Sequence, residues 1–233
     1  MQSQTIEGIL PIDKPAGKTS FSLVSLLRRL THVQKIGHTG TLDPFASGVM
    51  VLLIGKKYTR LSDQLLSKEK QYVATVHLGI TTDSYDIDGT IVNHSSYVPS
   101  LDEIEKAIAQ FQGTLLQTPP MFSAKKVQGK KLYELARKGI TIERQPETVT
   151  LHTTLLSYEY PHLKIHVRCS KGTYIRSLAQ DIGQFLHCGA HLSALSRVQN
   201  GAYTLSHCCD GARLSDPTYD WISHLRSENR PLA

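Results

Sequence analysis

The alternation of apolar and polar positions divides the chain into short strands and short amphipathic helices. Gly8 to Asp13 reads as a strand that ends at Lys14-Pro15. Thr19 or Ser20 caps a helix running to about Leu30, with Val24, Leu27 and Leu30 as its apolar face and Arg28 and Arg29 outward. Val49 to Ile54 is a continuous apolar run, the mark of a buried strand, and Lys57 to Leu66 carries helical spacing. Tyr72, Ala74, Val76 and Leu78 share one face of an alternating strand. Asp86-Ile87-Asp88-Gly89 is a turn, after which Thr90 to Val92 returns as a strand. Ser100 and Glu103 form a capping box for a helix to Phe111, with Leu101, Ile104, Ile108 and Phe111 inward.

Pro119-Pro120 breaks this order. Leu132 to Lys138 then reads as helical with Gly139 as its C-cap, and Val149 to Tyr158 with Lys164 to Cys169 as a β-pair. Tyr174 to Phe185 is helical, and His191 to Val198 is read as the final strand. Strands adjoin strands as often as helices, which predicts an α+β protein rather than a doubly wound one. With 233 residues, 40% of them hydrophobic, the chain has enough apolar surface for one large domain, or one domain and a small appendage.

A net charge of +6 favours the approach of a polyanion. The charge is uneven. Between Ser123 and Gly139 six bases (Lys125, Lys126, Lys130, Lys131, Arg137, Lys138) stand against one acid, Glu134. Such a stretch is either a solvated face or a nucleic-acid contact; Pro119-Pro120 before it and Gly129 within it predict a flexible arm. Cys169, Cys188, Cys208 and Cys209 match no common zinc spacing, and so sparse a set fits a reducing cytosol. Met1 to Pro11 lacks the form of a signal peptide and no apolar stretch reaches membrane-spanning length, so a cytoplasmic protein without a membrane partner is expected.

The candidate chemistry concentrates in Gly37 to Gly48, GHTGTLDPFASG. The stretch has neither helical nor strand period, so it is a loop. Its glycines admit unusual backbone angles, and Pro44 biases Asp43 away from helix. A carboxylate is thus held out between two structured elements. Read alone, Asp43 is more readily an aspartate that merely initiates a turn, since such residues are common there. The same glycines form neither a dinucleotide fingerprint nor a P-loop, so no nucleotide cofactor is expected. Asp86, Asp88 and Gly89 begin like a calcium loop, but no further ligands follow.

The stretch around Asp43 resembles the signature of TruB-type pseudouridine synthases, G-H-x-G-x-L-D-P-x-A-x-G, at every fixed position. Three more stretches agree in the same order: Gly8 to Ser20, Lys70 to Tyr72 with Thr82 to Gly89, and Ser170 to Gly183. The resemblance spans roughly residues 7–204. It implies a pseudouridine synthase fold, a mixed and largely antiparallel central sheet flanked by helices and loops. It implies isomerisation of uridine at position 55 in the T-loop of tRNA, without metal or cofactor and by a monomer.

Residue by residue, the resemblance makes Asp43 the essential aspartate, acting covalently or as a base. Arg176 becomes the arginine paired with it. An arginine in a helix's first turn opposes the helix dipole, so something must hold it there. Tyr72 matches the tyrosine that stacks on the flipped base, Tyr174 a second pocket tyrosine and Leu195 an apolar residue of the pocket floor. Without the family, Tyr72 reads as a core aromatic. His38 matches a histidine tied to RNA distortion, and Lys14, in the opening motif, joins the substrate contacts. The lysines Lys125, Lys126, Lys130 and Lys131 fall in an insertion, about residues 119–147, that clamps the T-arm. Residues 1–203 would be the catalytic domain and 204–233 a short tail without a complete PUA domain. In that tail a helix near Tyr219 to Leu225 would pack through Trp221, Ile222 and Leu225. Two other functions compete: an RNA chaperone that folds the T-arm against the D-arm without using Asp43, and a metal-dependent nuclease built on Asp83, Asp86 and Asp88.

Overall fold

The computed structural model describes residues 6–66, 68–127 and 129–227. The first half of the chain forms β1 (Gly8–Lys14), α1 (Ser20–Thr31), β2 (Ile36–His38), β3 (Ser47–Ile54), α2 (Lys56–Thr59), α3 (Ser62–Leu66), β4 (Lys70–Leu78), β5 (Ile80–Thr82), β6 (Ile91–His94), α4 (Leu101–Gln110) and β7 (Gln112–Gln117). The second half forms β8 (Lys126–Val127), β9 (Lys130–Lys131), α5 (Leu132–Ala136), β10 (Glu147–Glu159), β11 (His162–Cys169), α6 (Ile175–Phe185), β12 (Ala190–Asn200), β13 (Tyr203–Thr204) and β14 (Cys209–Asp210). The class is α+β, as the pattern predicts.

The chain divides into two compact units, residues 1–72 with 196–233, and residues 73–195. In the first, β1 pairs antiparallel with β3 and parallel with β14, β2 pairs antiparallel with β3, and the end of β12 runs parallel to β3. Its core is Ile9, Val49, Val51, Leu53, Tyr58 and Tyr203. β3 is buried from Gly48 to Ile54, which is why its sequence is apolar without alternation. In the second unit β7, β10 and β11 form an antiparallel ladder, with Val149, Leu151, Leu163, Ile165 and Val167 turned inward. Both units are thus largely antiparallel.

β4 follows its predicted alternation, with Lys70, Tyr72, Ala74, Val76 and Leu78 buried. The capping box of α4 is present, because the Ser100 hydroxyl accepts from the Glu103 amide while the Glu103 carboxylate accepts from the Ser100 amide.

Element ends differ from expectation. Leu30 and Leu101 are exposed, since a helix's first and last turns reach past the surface they cover; Leu23 and Ala107 are buried instead. The helix expected from Lys57 to Leu66 is two short helices, interrupted at Arg60-Leu61. The loop at Gly37 begins inside β2. β12 is followed by two further strands, and β14 adds a parallel edge to β1. In the tail Trp221 and Leu214 are buried, but Ile222 is 50% exposed at a single 3₁₀ turn. Positions 228–233 of that tail lie outside the described residues.

Candidate active site

In the first unit the main chain around Asp43 is gripped carbonyl by carbonyl. The Arg197 guanidinium donates to Gly40 O at 3.0 Å and Thr41 O at 3.4 Å. The Ser20 hydroxyl donates to Leu42 O and accepts from Leu42 N, both at 2.9 Å. Asp43 O accepts from Ala46 N at 3.2 Å, and Pro44 O accepts from Gly17 N at 2.8 Å and Lys14 Nζ at 3.2 Å. Upstream, Thr39 N donates to Val51 O and the Asn200 amide to the Thr39 hydroxyl. Five successive carbonyls therefore have donors, and the half-buried Asp43 projects from a fixed backbone.

This geometry gives Lys14 a different place from the substrate contact expected of it. The side chain is fully buried, and its ammonium donates to Pro15 O, Lys18 O and Pro44 O. Three carbonyls use its three donors, so it supports the loop from below. Burial lowers its pKa to about 8, against the pull of Asp43, which favours the charged form. His38 accepts the Gly40 amide through Nδ1 at 3.3 Å, and burial together with the Arg197 charge lowers its pKa. At neutral pH it is an uncharged imidazole with Nδ1 turned into the loop. Tyr72 is buried on β4.

In the second unit Arg176 is 4% exposed, on the first turn of α6. Its guanidinium meets Asp86 Oδ2 at 3.2 Å and donates to Ser84 O at 3.1 Å and Phe122 O at 2.7 Å. These contacts hold an arginine where the helix dipole disfavours one. Asp86 is in turn held by the Ser84 hydroxyl at 2.6 Å and the Asp88 amide at 3.1 Å. The turn reading of residues 86–89 therefore stands, and its buried carboxylate faces an arginine. A Cβ on Gly89 would lie 2.2 Å from the Ser84 hydroxyl, so only glycine closes this turn. Among the described residues no cluster of His, Cys, Asp or Glu could hold a metal ion.

Tyr174 precedes α6, with its amide donating to Gln117 Oε1 and its carbonyl accepting from Gln117 Nε2. Burial raises its phenol pKa, so the group is neutral. Leu195 is buried on β12, two residues before Arg197.

The basic arm holds a short pair of antiparallel strands, a hairpin, among its described residues. β8 and β9 pair Lys126 with Lys131 and Val127 with Lys130, and α5 follows directly. Lys125 is ion-paired with Glu147 at 2.8 Å, and Lys131 donates to the Tyr133 hydroxyl. Lys126 and Lys130 are exposed.

Of the expected site residues, Lys14, His38, Asp43 and Tyr72 belong to the first unit, and Tyr174, Arg176, Leu195 and the four lysines to the second. Sequence reasoning did not foresee the contacts of Arg197 and Ser20 with the Asp43 loop or of Asp86 with Arg176. For Arg197 one signal existed, its place two residues from Leu195 on an alternating strand.

The comparisons agree with this geometry. Residues 28–175 match the model of the TruB family pseudouridylate synthase N-terminal domain, and residues 176–232 that of the tRNA pseudouridylate synthase B C-terminal domain. The chain is 58% identical over 91% of its length to tRNA pseudouridine synthase B of Protochlamydia amoebophila, covering 81% of that protein. It is 55% identical over 98% of its length to that of Chlamydia trachomatis serovar L2, covering 95%. Among solved structures a chain of a Cbf5-Nop10-Gar1 complex superposes with a TM-score of 0.72 at 26% identity, matching 96% of this chain and 60% of that one. The gripped loop of Asp43, the matched domain models and the near relatives lead to one conclusion: this chain belongs to the TruB family of pseudouridylate synthases.

Proposed function

We propose that the chain converts uridine to pseudouridine at position 55 in the T-loop of tRNA, with Asp43 as the group that acts on the flipped nucleotide. The observation that carries this reading is the Asp43 loop, whose signature is complete and whose carbonyls from Gly40 to Pro44 are all gripped. Support comes from relatives named tRNA pseudouridine synthase B.

The reaction breaks the bond from C1′ to N1 of the base and makes one from C1′ to C5. C5 loses a proton and N1 gains one, so the atoms balance within the nucleotide and no donor group is consumed. Stacking hides the reacting atoms, so the uridine is extruded first. Tyr72 and Tyr174 offer π-faces to the displaced base, Leu195 an apolar wall and His38 a ring for the space the base leaves. Arg176, held by Asp86, Ser84 O and Phe122 O, supplies the fixed positive charge that the family pairs with the essential aspartate. Lys126 and Lys130 of the hairpin meet T-arm phosphates, which adds affinity rather than sequence readout. Residues 1–203 do this work, as a cytoplasmic monomer. Among the described residues no helix is long and apolar enough to cross a membrane.

The test is to incubate the protein with an unmodified tRNA transcript and map pseudouridine by position. New pseudouridine at position 55 supports the proposal. Binding and refolding of the transcript without any isomerisation would move the reading to an RNA chaperone.

A further inference from the structure

We infer that Arg197 is a positioning residue for the isomerisation: it closes the Asp43 loop at both ends and thereby sets where that carboxylate stands, without touching the substrate. The inference rests on Asp43 as the reacting group.

Arg197 is 1% exposed. Its side chain reaches the segment before Asp43, at Gly40 O and Thr41 O, and the segment after it, at Val49 O with a 2.6 Å bond from Nε. Its main chain meets the same segment again, because Arg197 is the parallel partner of Gly48. There the approach is so close that a Cβ on Gly48 would fall 2.3 Å from Arg197 O. One residue thus ties positions 40, 41, 48 and 49 together, with Asp43 in the middle of the span.

These partners are neutral carbonyls. Among the described residues no carboxylate ion-pairs with Arg197, so a full charge is buried against backbone dipoles alone, an arrangement that is unfavourable for folding on its own account. An arginine kept only for stability would be better placed against an acid or replaced by an apolar side chain. The hydrogen bonds of this side chain all fall on positions 40 to 49, the stretch that carries Asp43. A lysine serves several carbonyls only where they converge on one nitrogen, as they do around Lys14, whereas the carbonyls of positions 40, 41 and 49 are each met by a different nitrogen of the planar guanidinium.

The experiment compares Arg197→Gln and Arg197→Lys with wild type in single-turnover assays at saturating tRNA transcript. Equilibrium binding and thermal unfolding are measured on the same samples. Displacement of a reacting group by about 1 Å costs about 100-fold in rate. The expected result is therefore a loss of about that size for Arg197→Gln, a smaller loss for Arg197→Lys, and dissociation constants within about threefold of wild type for both. If Arg197→Gln does not fold, Arg197→Lys decides the matter. A folded variant that turns over within about threefold of wild type, or whose deficit disappears as tRNA is raised, overturns the inference. An inactive wild type would instead refute the proposed function, so the two failures are told apart.

Discussion

The main chain around Asp43 and the side chain of Arg176 show two kinds of grip. The loop of Asp43 is gripped through its main chain, by donors from Lys14, Gly17, Ser20, Ala46 and Arg197. Arg176 is gripped through its side chain, by the Asp86 carboxylate and two carbonyls. The difference separates two tasks. In the proposed mechanism Asp43 is the group that reacts, and a backbone fixed by its own hydrogen bonds keeps its position defined during the reaction. A charge that only orients and stabilises is fixed at its own functional atoms, and there chemistry and stability are coupled.

The largest expected effect follows from the first half of that contrast. Asp43→Asn should lower the single-turnover rate by about 10⁴-fold or more, while the unfolding temperature stays within about 2 °C of wild type. Turnover near the wild-type rate would remove Asp43 from the mechanism. A large loss of stability would mean its side chain belongs to the scaffold after all, and the contrast would fail.

Asp86→Asn should break the other half. It leaves the buried Arg176 charge without this anionic partner, so stability should fall by about 3 kcal/mol and activity should fall with it. Arg176→Lys should likewise lower the rate strongly, because the fork that reaches Asp86, Ser84 O and Phe122 O is lost. Chemical denaturation alongside rate measurement decides; a variant at either position that loses rate but no stability would place Arg176 in the same class as Asp43.

A smaller effect is expected at the hairpin. Lys125 and Lys131 have protein partners, whereas Lys126 and Lys130 are exposed. Alanine at Lys126 and Lys130 should weaken tRNA binding and flatten the slope of log K against log salt by up to about 2, with the rate at saturation nearly unchanged. Unchanged binding at low and high salt would return the hairpin to a solvated surface.

The smallest effect concerns Asp181, a carboxyl on α6 that burial pushes up to about 6. Its folded pKa lies above the ordinary value of 3.8, so its contribution is most favourable when protonated and is lost as pH rises through about 6. Asp181→Asn should therefore raise the unfolding temperature by about 3 °C at pH 8, with the gain fading towards pH 4. Melting curves at the two pH values check this, and an equal gain at both would exclude charge burial as its cause.

The fold was legible wherever one face of an element is buried and the other is wet. β4 and α4 announce themselves by alternation and by a capping box, and β3 by a run too apolar for any exposed face. The Asp43 loop was legible through its signature. The grip on that loop was not. Lys14 and Arg197 belong to residue types that are almost never buried unless paired, and their partners here are backbone carbonyls, which every residue possesses and no side-chain pattern marks. Asp86 looked like a turn residue because it is one; its charged partner lies 90 positions away in sequence. β14 was invisible because two residues are too few to show a period.

The seam between Gly48 and Arg197 bears on any attempt to transplant this chemistry. The twelve-residue signature from Gly37 to Gly48 looks like a portable cassette, but its geometry is borrowed from Lys14, Gly17, Ser20, Arg197 and Asn200. A designer who grafts the loop alone onto a foreign scaffold would import the carboxylate and leave behind what aims it. The smallest transferable module runs from β1 through β3 and includes the last residues of β12, with room for no side chain at position 48.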